Sequence, residues 1–78
     1  MGISENDSTV KVAFGCHLRR LRTERGYSQE QFANEAGLDR SYIGGVERGV
    51  RNISLVNIAK IAVALNLTIE KLFEGFDG

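Results

Sequence analysis

The sequence contains no proline and no tryptophan, and it has only one cysteine and one histidine among its 78 residues. A single cysteine, Cys16, excludes an intrachain disulfide, and its place within a helical pattern favours a buried, unreactive thiol. We interpret the single histidine, His17, as a surface or partly buried side chain rather than a catalyst. Phosphate-binding and dinucleotide-binding glycine motifs are also missing. The sequence therefore predicts no enzyme, no metal site, no cofactor and no small-molecule ligand.

Long hydrophobic runs are missing as well. The longest apolar stretch, Ile61 to Leu65, is far shorter than the roughly 18 residues that a membrane-spanning helix requires. The first ten residues are too polar for a signal peptide. A chain of this length makes one small domain with one apolar core. We expect a soluble, cytoplasmic protein that does not contact a membrane.

The net charge is zero, which at first argues against a nucleic-acid partner, because binding to phosphates relies on clustered lysine and arginine. The charges are nevertheless segregated along the chain. Residues 11–51 carry eight basic and five acidic side chains, a net charge of +3, whereas both ends are acidic. Such a distribution is compatible with DNA binding and also with an ordinary solvated helical surface.

The starts of four helices can be read from one repeated pattern, in which an apolar residue precedes a Ser, Asp or Thr and a second apolar residue follows four positions later. This is the pattern of a helix N-cap with a hydrophobic staple. The four runs are Tyr27-Ser28 to Phe32, Leu38-Asp39 to Ile43, Ile53-Ser54 to Ile58, and Leu67-Thr68 to Leu72. The first also has a capping box through Gln31. We predict helices that begin near residues 29, 40, 55 and 69.

A longer helix is predicted ahead of these four, from about Thr9 to Arg25, with Gly26 ending it in the left-handed conformation. The resulting fold class is all-α with five helices. Residues 1–8 are predicted to form a frayed polar tail, and residues 9–76 a single domain. The predicted core is Phe14, Leu18, Leu21, Phe32, Ala33, Ala36, Leu38, Ile43, Val46, Leu55, Ile58, Ala59, Ala62 and Leu65.

The third helix, Arg40 to Arg48, is unusual because it has Gly44 and Gly45 in its middle, and each costs about 1 kcal/mol relative to alanine. On a helical wheel, Ile43, Val46 and Glu47 point inward. The outer face holds Arg40, Ser41, Gly44, Gly45 and Arg48. We therefore expect an outer face that is bare beyond its first turn and can approach another surface closely. The alternative is a weak helix with two tolerated glycines.

Two short helices joined at Gly37 have the layout of a helix-turn-helix, whose second helix enters the major groove of DNA. The segment from Ser28 to Leu72 resembles the Cro/repressor-type helix-turn-helix family, also called the xenobiotic-response-element family. The markers are Ser28-Gln29-Glu30, Phe32-Ala33, Ala36-Gly37-Leu38, Tyr42-Ile43, Val46-Glu47-Arg48-Gly49, Ile58-Ala59, Ala64-Leu65 and Leu72-Phe73. The stretches Leu38 to Ile43 and Glu47 to Leu55 are closer still to the controller proteins of restriction-modification systems. The resemblance implies a compact, lambda-repressor-like domain with its helix-turn-helix in helices 2 and 3.

The resemblance also implies roles for individual residues. Gln29 is similar to the residue that reaches a phosphate from the start of the second helix, where the helix end attracts anions. Arg40, the first residue of the recognition helix, is expected to read guanine, and Ser41 to bond a base edge or a phosphate. Three further residues are expected to contact the DNA backbone without specifying sequence, namely Arg48, Arg51 and Asn52.

Two other implied roles are partly or wholly structural. Tyr42 either contacts a thymine methyl or a phosphate, or is a half-buried core residue, and the sequence leaves both alternatives open. Arg22 and Glu47 resemble the internal ion pair that joins the first and third helices in this family. Such a pair stabilises the fold rather than binding DNA. The competing interpretation is a solvent-exposed Arg22.

A dimer is predicted from the apolar residues that the core leaves over, because exposed apolar patches usually mark association sites. They are Val56, Ile61 and Val63 in the fourth helix and Ile69, Phe73 and Phe76 near the end of the chain. A two-fold dimer would present two recognition helices about 34 Å apart and would read a pseudo-palindrome. The sequence does not determine which helix lies on the dimer axis.

Taken together, these observations predict a homodimeric, sequence-specific transcription regulator that binds double-stranded DNA, most specifically the controller of a restriction-modification operon. One alternative is a phage-type repressor or an antitoxin of the same fold. Another is a helical protein-interaction module without DNA binding, which a bare third helix would suit. RNA polymerase is a further partner to consider, although no residue of the sequence points to it.

Overall fold

The computed structural model describes residues 7–77, and within that range the chain is all-helical. It has the five predicted helices and no strand. They are α1 (Asp7–Glu24), α2 (Gln29–Ala36), α3 (Arg40–Glu47), α4 (Leu55–Ala64) and α5 (Ile69–Leu72). The predicted starts near residues 29, 40, 55 and 69 are confirmed. Within residues 7–77 no helix combines the length and the apolar character that crossing a bilayer requires.

Three of the four predicted caps form through their side chains. The hydroxyls of Ser28, Ser54 and Thr68 each accept a hydrogen bond of 3.1 Å from a backbone N–H in the first turn of the helix they precede. At α2 the side chain of Gln31 accepts in return from the Ser28 N–H at 2.9 Å, which completes the capping box. The prediction was wrong for Asp39, whose side chain makes no cap hydrogen bond. The start of α3 therefore retains N–H groups that a ligand can use.

The amino-terminal boundary differs from the prediction. Helix α1 begins at Asp7, so residues 7 and 8 belong to the helix and not to a tail. The rest of the predicted tail, residues 1–6, lies outside the described residues. Gly26 has the expected positive φ of 78°, and the N–H of Tyr27 donates to the carbonyl of Arg22 at 3.2 Å beyond it. This bond satisfies a terminal carbonyl of α1 and turns the chain toward α2.

The core lies where α1, α2, α3 and α4 meet, and α5 closes it with Leu72. Its buried apolar residues are Phe14, Leu18, Phe32, Ala33, Ala36, Ile43, Val46, Ile61, Ala62, Leu65 and Leu72. Two predictions for α4 were wrong, since Leu55 is 73% exposed and Ile61 is fully buried. Helix α4 is apolar on nearly every side, so its periodicity does not identify the inward face. Contacts with α2 and α5 determine that face instead.

Helix α1 also departs from expectation at neighbouring positions. Cys16 is exposed, so the prediction of a buried thiol was wrong. Cys16 lies two residues after Phe14, which places it about 200° around the helix from that inward-facing ring. His17 is buried instead, and its Nε2 donates to the carbonyl oxygen of Leu72 at 2.6 Å. Its Nδ1 accepts from Arg20 at 3.1 Å, so the imidazole joins α1 to α5.

Gly15 allows α1 and α3 to approach each other closely. A Cβ atom at this position would lie 2.5 Å from the carbonyl oxygens of both Val46 and Glu47. Real Cβ atoms do not approach backbone oxygens this closely, so only glycine fits without moving one helix. The last turn of α3 is therefore held against α1, and the first turn, with Arg40, projects from the domain surface.

Candidate nucleic-acid interface

Helices α2 and α3 are joined by a turn of three residues, 37–39. Gly37 has a φ of 70°, a left-handed conformation that costs a residue with a side chain about 1 kcal/mol or more. The N–H of Leu38 then donates to the carbonyl of Ala33 at 2.9 Å, and the Leu38 side chain packs against the core. This geometry holds the two helices as one unit and orients α3 relative to α2.

The two faces of α3 separate as the helical wheel predicts. Ile43 and Val46 are fully buried in the core, whereas Arg40 and Ser41 in the first turn are exposed. Arg48, the residue that caps the carboxyl end, is exposed as well. The side chains at the amino end of α3 are thus free to contact a partner that approaches this face.

The second turn of α3 is not bare, which corrects the expectation for the two glycines. Gly44 and Gly45 are buried beneath long basic side chains that come from the carboxyl side of the helix. A Cβ on Gly44 would lie 3.2 Å from Nη1 of Arg48, and one on Gly45 would lie 2.7 Å from Cγ of Arg51. Long cationic side chains readily cover such backbone with their methylene stems while their charge stays in water. The side chains of Arg48 and Arg51 therefore lie directly on these two glycines, and we call Gly44 and Gly45 the glycine bed.

The side chain of Arg51 extends from the glycine bed to the ring of Tyr42. Its guanidinium carbon lies 5.7 Å from the ring centroid, a cation–π distance. Tyr42 itself is half-buried and packs against the core. The structure thus gives Tyr42 a packing role, and in addition makes the ring a platform for Arg51. Whether Tyr42 also contacts DNA stays a prediction.

Arg22 and Glu47 form a two-pronged ion pair between α1 and α3. Nε of Arg22 donates to one carboxylate oxygen of Glu47 at 2.6 Å, and Nη2 donates to the other at 2.9 Å. Nη1 donates to the carbonyl of Tyr27 at 2.7 Å. Arg22 is buried, and only 3% of the Glu47 side chain is exposed. The competing interpretation of a solvent-exposed Arg22 is excluded.

The ion pair with Glu47 favours the charged form of Arg22. The hydrogen bonding of Arg22 to the Glu47 carboxylate, in which Arg22 donates, raises the pKa of its guanidinium above the ordinary value; burial opposes this rise, and the negative charge of Glu47 adds to it. Each of the three guanidinium nitrogens donates one hydrogen bond to a protein acceptor. Arg22 is therefore occupied within the fold and does not belong to the DNA-facing cations.

Gln29 is tied to the same carboxylate. Its Nε2 donates to Oε1 of Glu47 at 3.0 Å, so the side chain is half-buried and oriented by α3. An amide has two N–H donors, and this hydrogen bond uses one of them. The ion pair thus has a second effect, because it positions a residue that the resemblance assigns to DNA.

The remaining predicted contact residues are exposed, and they follow α3 in the chain. Arg51 and Asn52 lie in the segment between α3 and α4, outside any helix, and both are exposed. Val50 in that segment donates its N–H to the carbonyl of Gly45 at 3.0 Å, and Gly49 has a φ of 79°. The chain therefore reverses immediately after α3, which brings Arg51 back over the helix.

The predicted dimer residues fall into two groups. Val56 and Val63 are exposed on the outer face of α4, and Ile69 at the start of α5 is exposed as well. Phe73 and Phe76 are half-buried, and their ring centroids lie 5.5 and 6.1 Å from that of Phe14. Ile61, which the sequence left for the interface, is in the core. An apolar surface for a second copy therefore remains mainly on α4.

Sequence reasoning missed two features of this site. Gly15 sets the distance between α1 and α3, and Gly45 makes room for Arg51. A glycine in the middle of a strong helical pattern is itself a signal of close approach, because it lowers helix stability without an evident gain. That signal is present at Gly15 as clearly as at Gly44 and Gly45.

Comparisons with known proteins agree with this geometry. A model of the family described as HTH_3, Helix-turn-helix, matches residues 18–72. The chain is 44% identical over 69 residues to "Control protein C.MunI" of Mycoplasma sp, covering 87% of this chain and 93% of that protein. Helices α2 to α5 and residues 18–24 of α1 fall within the matched family region.

Solved structures of similar proteins extend the comparison. The restriction-modification controller protein C.AhdI from Aeromonas hydrophila is 61% identical, with a TM-score of 0.77 over 80% of this chain and 94% of that chain. The controller protein C.Esp1396I, solved as a tetramer in complex with its natural 35 base-pair operator, is 30% identical. Its TM-score is 0.80 over 86% of this chain and 88% of that chain.

Proposed function

The chain belongs to the HTH_3 helix-turn-helix family, and we propose that it is a homodimeric transcription regulator that binds a pseudo-palindromic operator as the controller of a restriction-modification operon. The observation that carries this proposal is an exposed first turn of α3, with Arg40 and Ser41, on a domain similar along most of its length to controller proteins. The relatives named above are regulators and not enzymes, which agrees with the absence of catalytic motifs.

The DNA-facing surface that we propose has three parts. Arg40 and Ser41 read base edges from the first turn of α3. Arg48 and Arg51, lying over the glycine bed, neutralise phosphates, and Asn52 and Gln29 bond the backbone on either side. Because the second turn of α3 has guanidinium groups in place of its own side chains, base readout is confined to the first turn and is supplemented by DNA shape.

Dimerisation is supported by the exposed valines on α4 and by the operator complex of C.Esp1396I, which is a tetramer. A two-fold axis would set two copies of α3 about 34 Å apart, one turn of duplex. Such a regulator works in the cytoplasm, where the operator is. When it is bound beside a promoter, RNA polymerase is the next partner to test, by transcription from that promoter in a purified system with and without the protein.

The alternative of a protein-interaction module depended on a bare α3. The structure removes that support, because Arg48 and Arg51 cover the glycines with positive charge. A phage-type repressor or an antitoxin would use the same DNA-binding surface, and the genes next to this one distinguish these from a controller.

We expect binding to DNA upstream of the protein's own gene to weaken steeply with salt. Two guanidinium groups per subunit, Arg48 and Arg51, would neutralise four phosphates per dimer, which gives a slope of log affinity against log salt of about −3.6. Titration of labelled duplex at four or more salt concentrations measures it. A slope near zero would favour the interaction module.

Two matched variants test whether the salt dependence of DNA binding arises from the proposed DNA-facing surface. Arg48→Gln is expected to reduce its magnitude by about 1.8, because two phosphate contacts per dimer are lost. Lys71→Gln removes an exposed cation on α5 that pairs with Glu74 at 3.7 Å, and it should leave the slope unchanged. Equal effects of the two variants would mean that the salt dependence comes from overall charge.

The contact between Gly45 and the Arg51 side chain gives a second prediction. Gly45→Ala places a Cβ 2.7 Å from Cγ of Arg51, so the guanidinium must leave the Tyr42 ring. We expect operator affinity to fall about two- to fivefold per subunit, the equivalent of a cation–π contact of about 0.5–1 kcal/mol. Stability against urea should be kept or increased, because alanine favours the helix by about 1 kcal/mol over glycine.

Gly44→Ala is the control for Gly45→Ala. Its Cβ would lie 3.2 Å from the far end of Arg48, which can move aside, and 3.7 Å from Oε1 of Gln29, an ordinary van der Waals distance. The stability gain should be similar, with a smaller loss of affinity. Unchanged operator affinity in Gly45→Ala would show that Arg51 does not need the bed to reach DNA.

A further inference from the structure

An apolar cleft of about 240 Å³ lies between α1, the segment after α3 and the carboxyl end of the chain. Its walls include the rings of Phe14, Phe73 and Phe76, which contact one another with centroid distances of 5.5–6.1 Å. Val46, Ile53 and Ile58 complete the apolar lining. The cleft shares Arg51 and Asn52 with the proposed DNA surface, yet most of it lies apart from that surface, because its other walls come from α1, from apolar residues of the core and from the residues that follow α5.

The polar residues of this cleft are basic or neutral. Lys11, Arg51 and Asn52 are the polar residues among those that line it, and none of the described lining residues is acidic. Neither Lys11 nor Arg51 forms an ion pair within the part of the chain that the structure describes. Two cations and an amide beside an apolar cavity are complementary to a ligand with one anionic end and an apolar body.

The volume of the cleft limits the size of the ligand's apolar part. A cavity of about 150 Å³ accepts benzene, so 240 Å³ has room for roughly ten non-hydrogen atoms. Three aromatic rings in the walls favour an aromatic body, since edge-to-face contacts add to the burial of its surface. A planar carboxylate suits a guanidinium, which can donate two parallel hydrogen bonds to it.

We propose that this cleft binds a small aryl or arylalkyl carboxylate, whose ring packs among Phe14, Phe73 and Phe76 and whose carboxylate pairs with Lys11 and Arg51. A bound carboxylate holds Arg51 away from the Tyr42 ring and competes with a phosphate for its guanidinium. Binding of the ligand therefore lowers DNA affinity. The ligand site stands by itself, and only this effect on DNA rests on the proposed function.

The test uses 3-phenylpropionate and its uncharged analogue 3-phenylpropionamide, titrated into the full chain and followed by amide chemical shifts. We expect saturable shifts at residues that line the cleft, and weaker binding of the amide by about tenfold, the effect of one charge-assisted hydrogen bond. Lys11→Gln should weaken binding of the carboxylate by about tenfold, and Lys60→Gln, an exposed lysine of α4 outside the cleft, should not.

A second variant tests the cavity itself. Val10 is exposed at the cleft, and Val10→Phe fills the cleft while leaving every buried core residue unchanged. We expect this variant to keep its fold and lose the shifts. Saturable binding that survives Val10→Phe, equal affinity for acid and amide, or shifts confined to the outer face of α4 would each overturn the proposal. Binding that falls as protein concentration rises would mean that a second copy occupies the cleft, and would overturn it as well.

The effect on DNA is measured separately. Operator affinity of the parent should fall at saturating 3-phenylpropionate, and that of Val10→Phe should not. Saturable binding in a protein with no DNA affinity would contradict the proposed function and leave the ligand site supported. Normal operator binding without any ligand-induced chemical-shift change would contradict the ligand site and leave the proposed function supported.

Discussion

Arg22→Ala is expected to lower the free energy of unfolding by about 3–5 kcal/mol, the usual cost of removing one partner from a buried ion pair. The structure supplies the reason, because this change leaves the Glu47 carboxylate, whose side chain is only 3% exposed, without its two strongest donors. It also removes the donor to the carbonyl of Tyr27. Small domains have only about 5–15 kcal/mol of stability, so the variant should be partly unfolded at 37 °C.

Urea unfolding followed by circular dichroism measures this loss. Arg19→Ala is the matched control on the same helix, because Arg19 is exposed and its replacement should change the free energy of unfolding by no more than about 0.5 kcal/mol. The double variant Arg22→Met/Glu47→Leu should regain much of the stability, since apolar replacement of a buried pair is well tolerated. An Arg22→Ala protein that unfolds at the parent's urea concentration would contradict the structural role of the pair.

Arg40→Ala is expected to remove most of the preference for operator over random DNA. A bidentate arginine–guanine contact discriminates by about 1–3 kcal/mol, and a symmetric dimer makes two of them, so the loss is about 2–6 kcal/mol. Because Arg40 is exposed and has no hydrogen-bond partner in the described chain, the change should not affect stability. Competition titrations against operator and scrambled duplexes at one salt concentration measure the preference.

Arg48→Ala is the comparison that distinguishes a base-specific contact from a contact with the DNA backbone. Its guanidinium lies over Gly44, and we expect its loss to weaken binding to both duplexes by a similar factor. If Arg40→Ala also reduces both affinities equally, Arg40 contacts the backbone and the assignment of base readout to the first turn is wrong.

Much of the fold could be predicted because its signals are local. The caps at Ser28, Ser54 and Thr68 act on N–H groups within the next turn, and the staples act over four residues. Such contacts depend on sequence spacing alone, so the starts of four helices were correct. The end of α1 at Gly26 was correct for the same reason, because a positive φ there depends on a single residue.

Less of the site could be predicted. The wheel of α3 identified its outward face, and Arg40, Ser41 and Arg48 are exposed as expected. It did not reveal that Gly45 is covered, because Arg51 returns over the helix only after the left-handed turn at Gly49. A wheel describes one helix, and side chains that arrive from the following segment are not on it.

The order of the helices, the starts of α2 to α5, the short turn at Gly37 and the exposed arginine that begins α3 follow from the chain's own spacing of apolar, capping and glycine residues. Packing between distant segments determined the rest. It buried Ile61 instead of Leu55, exposed Cys16 while burying His17 against Leu72, and used Gly15 to press α1 onto the end of α3. Each of these outcomes depends on which surface lies opposite a side chain in space, and residues far apart along the chain supply that surface.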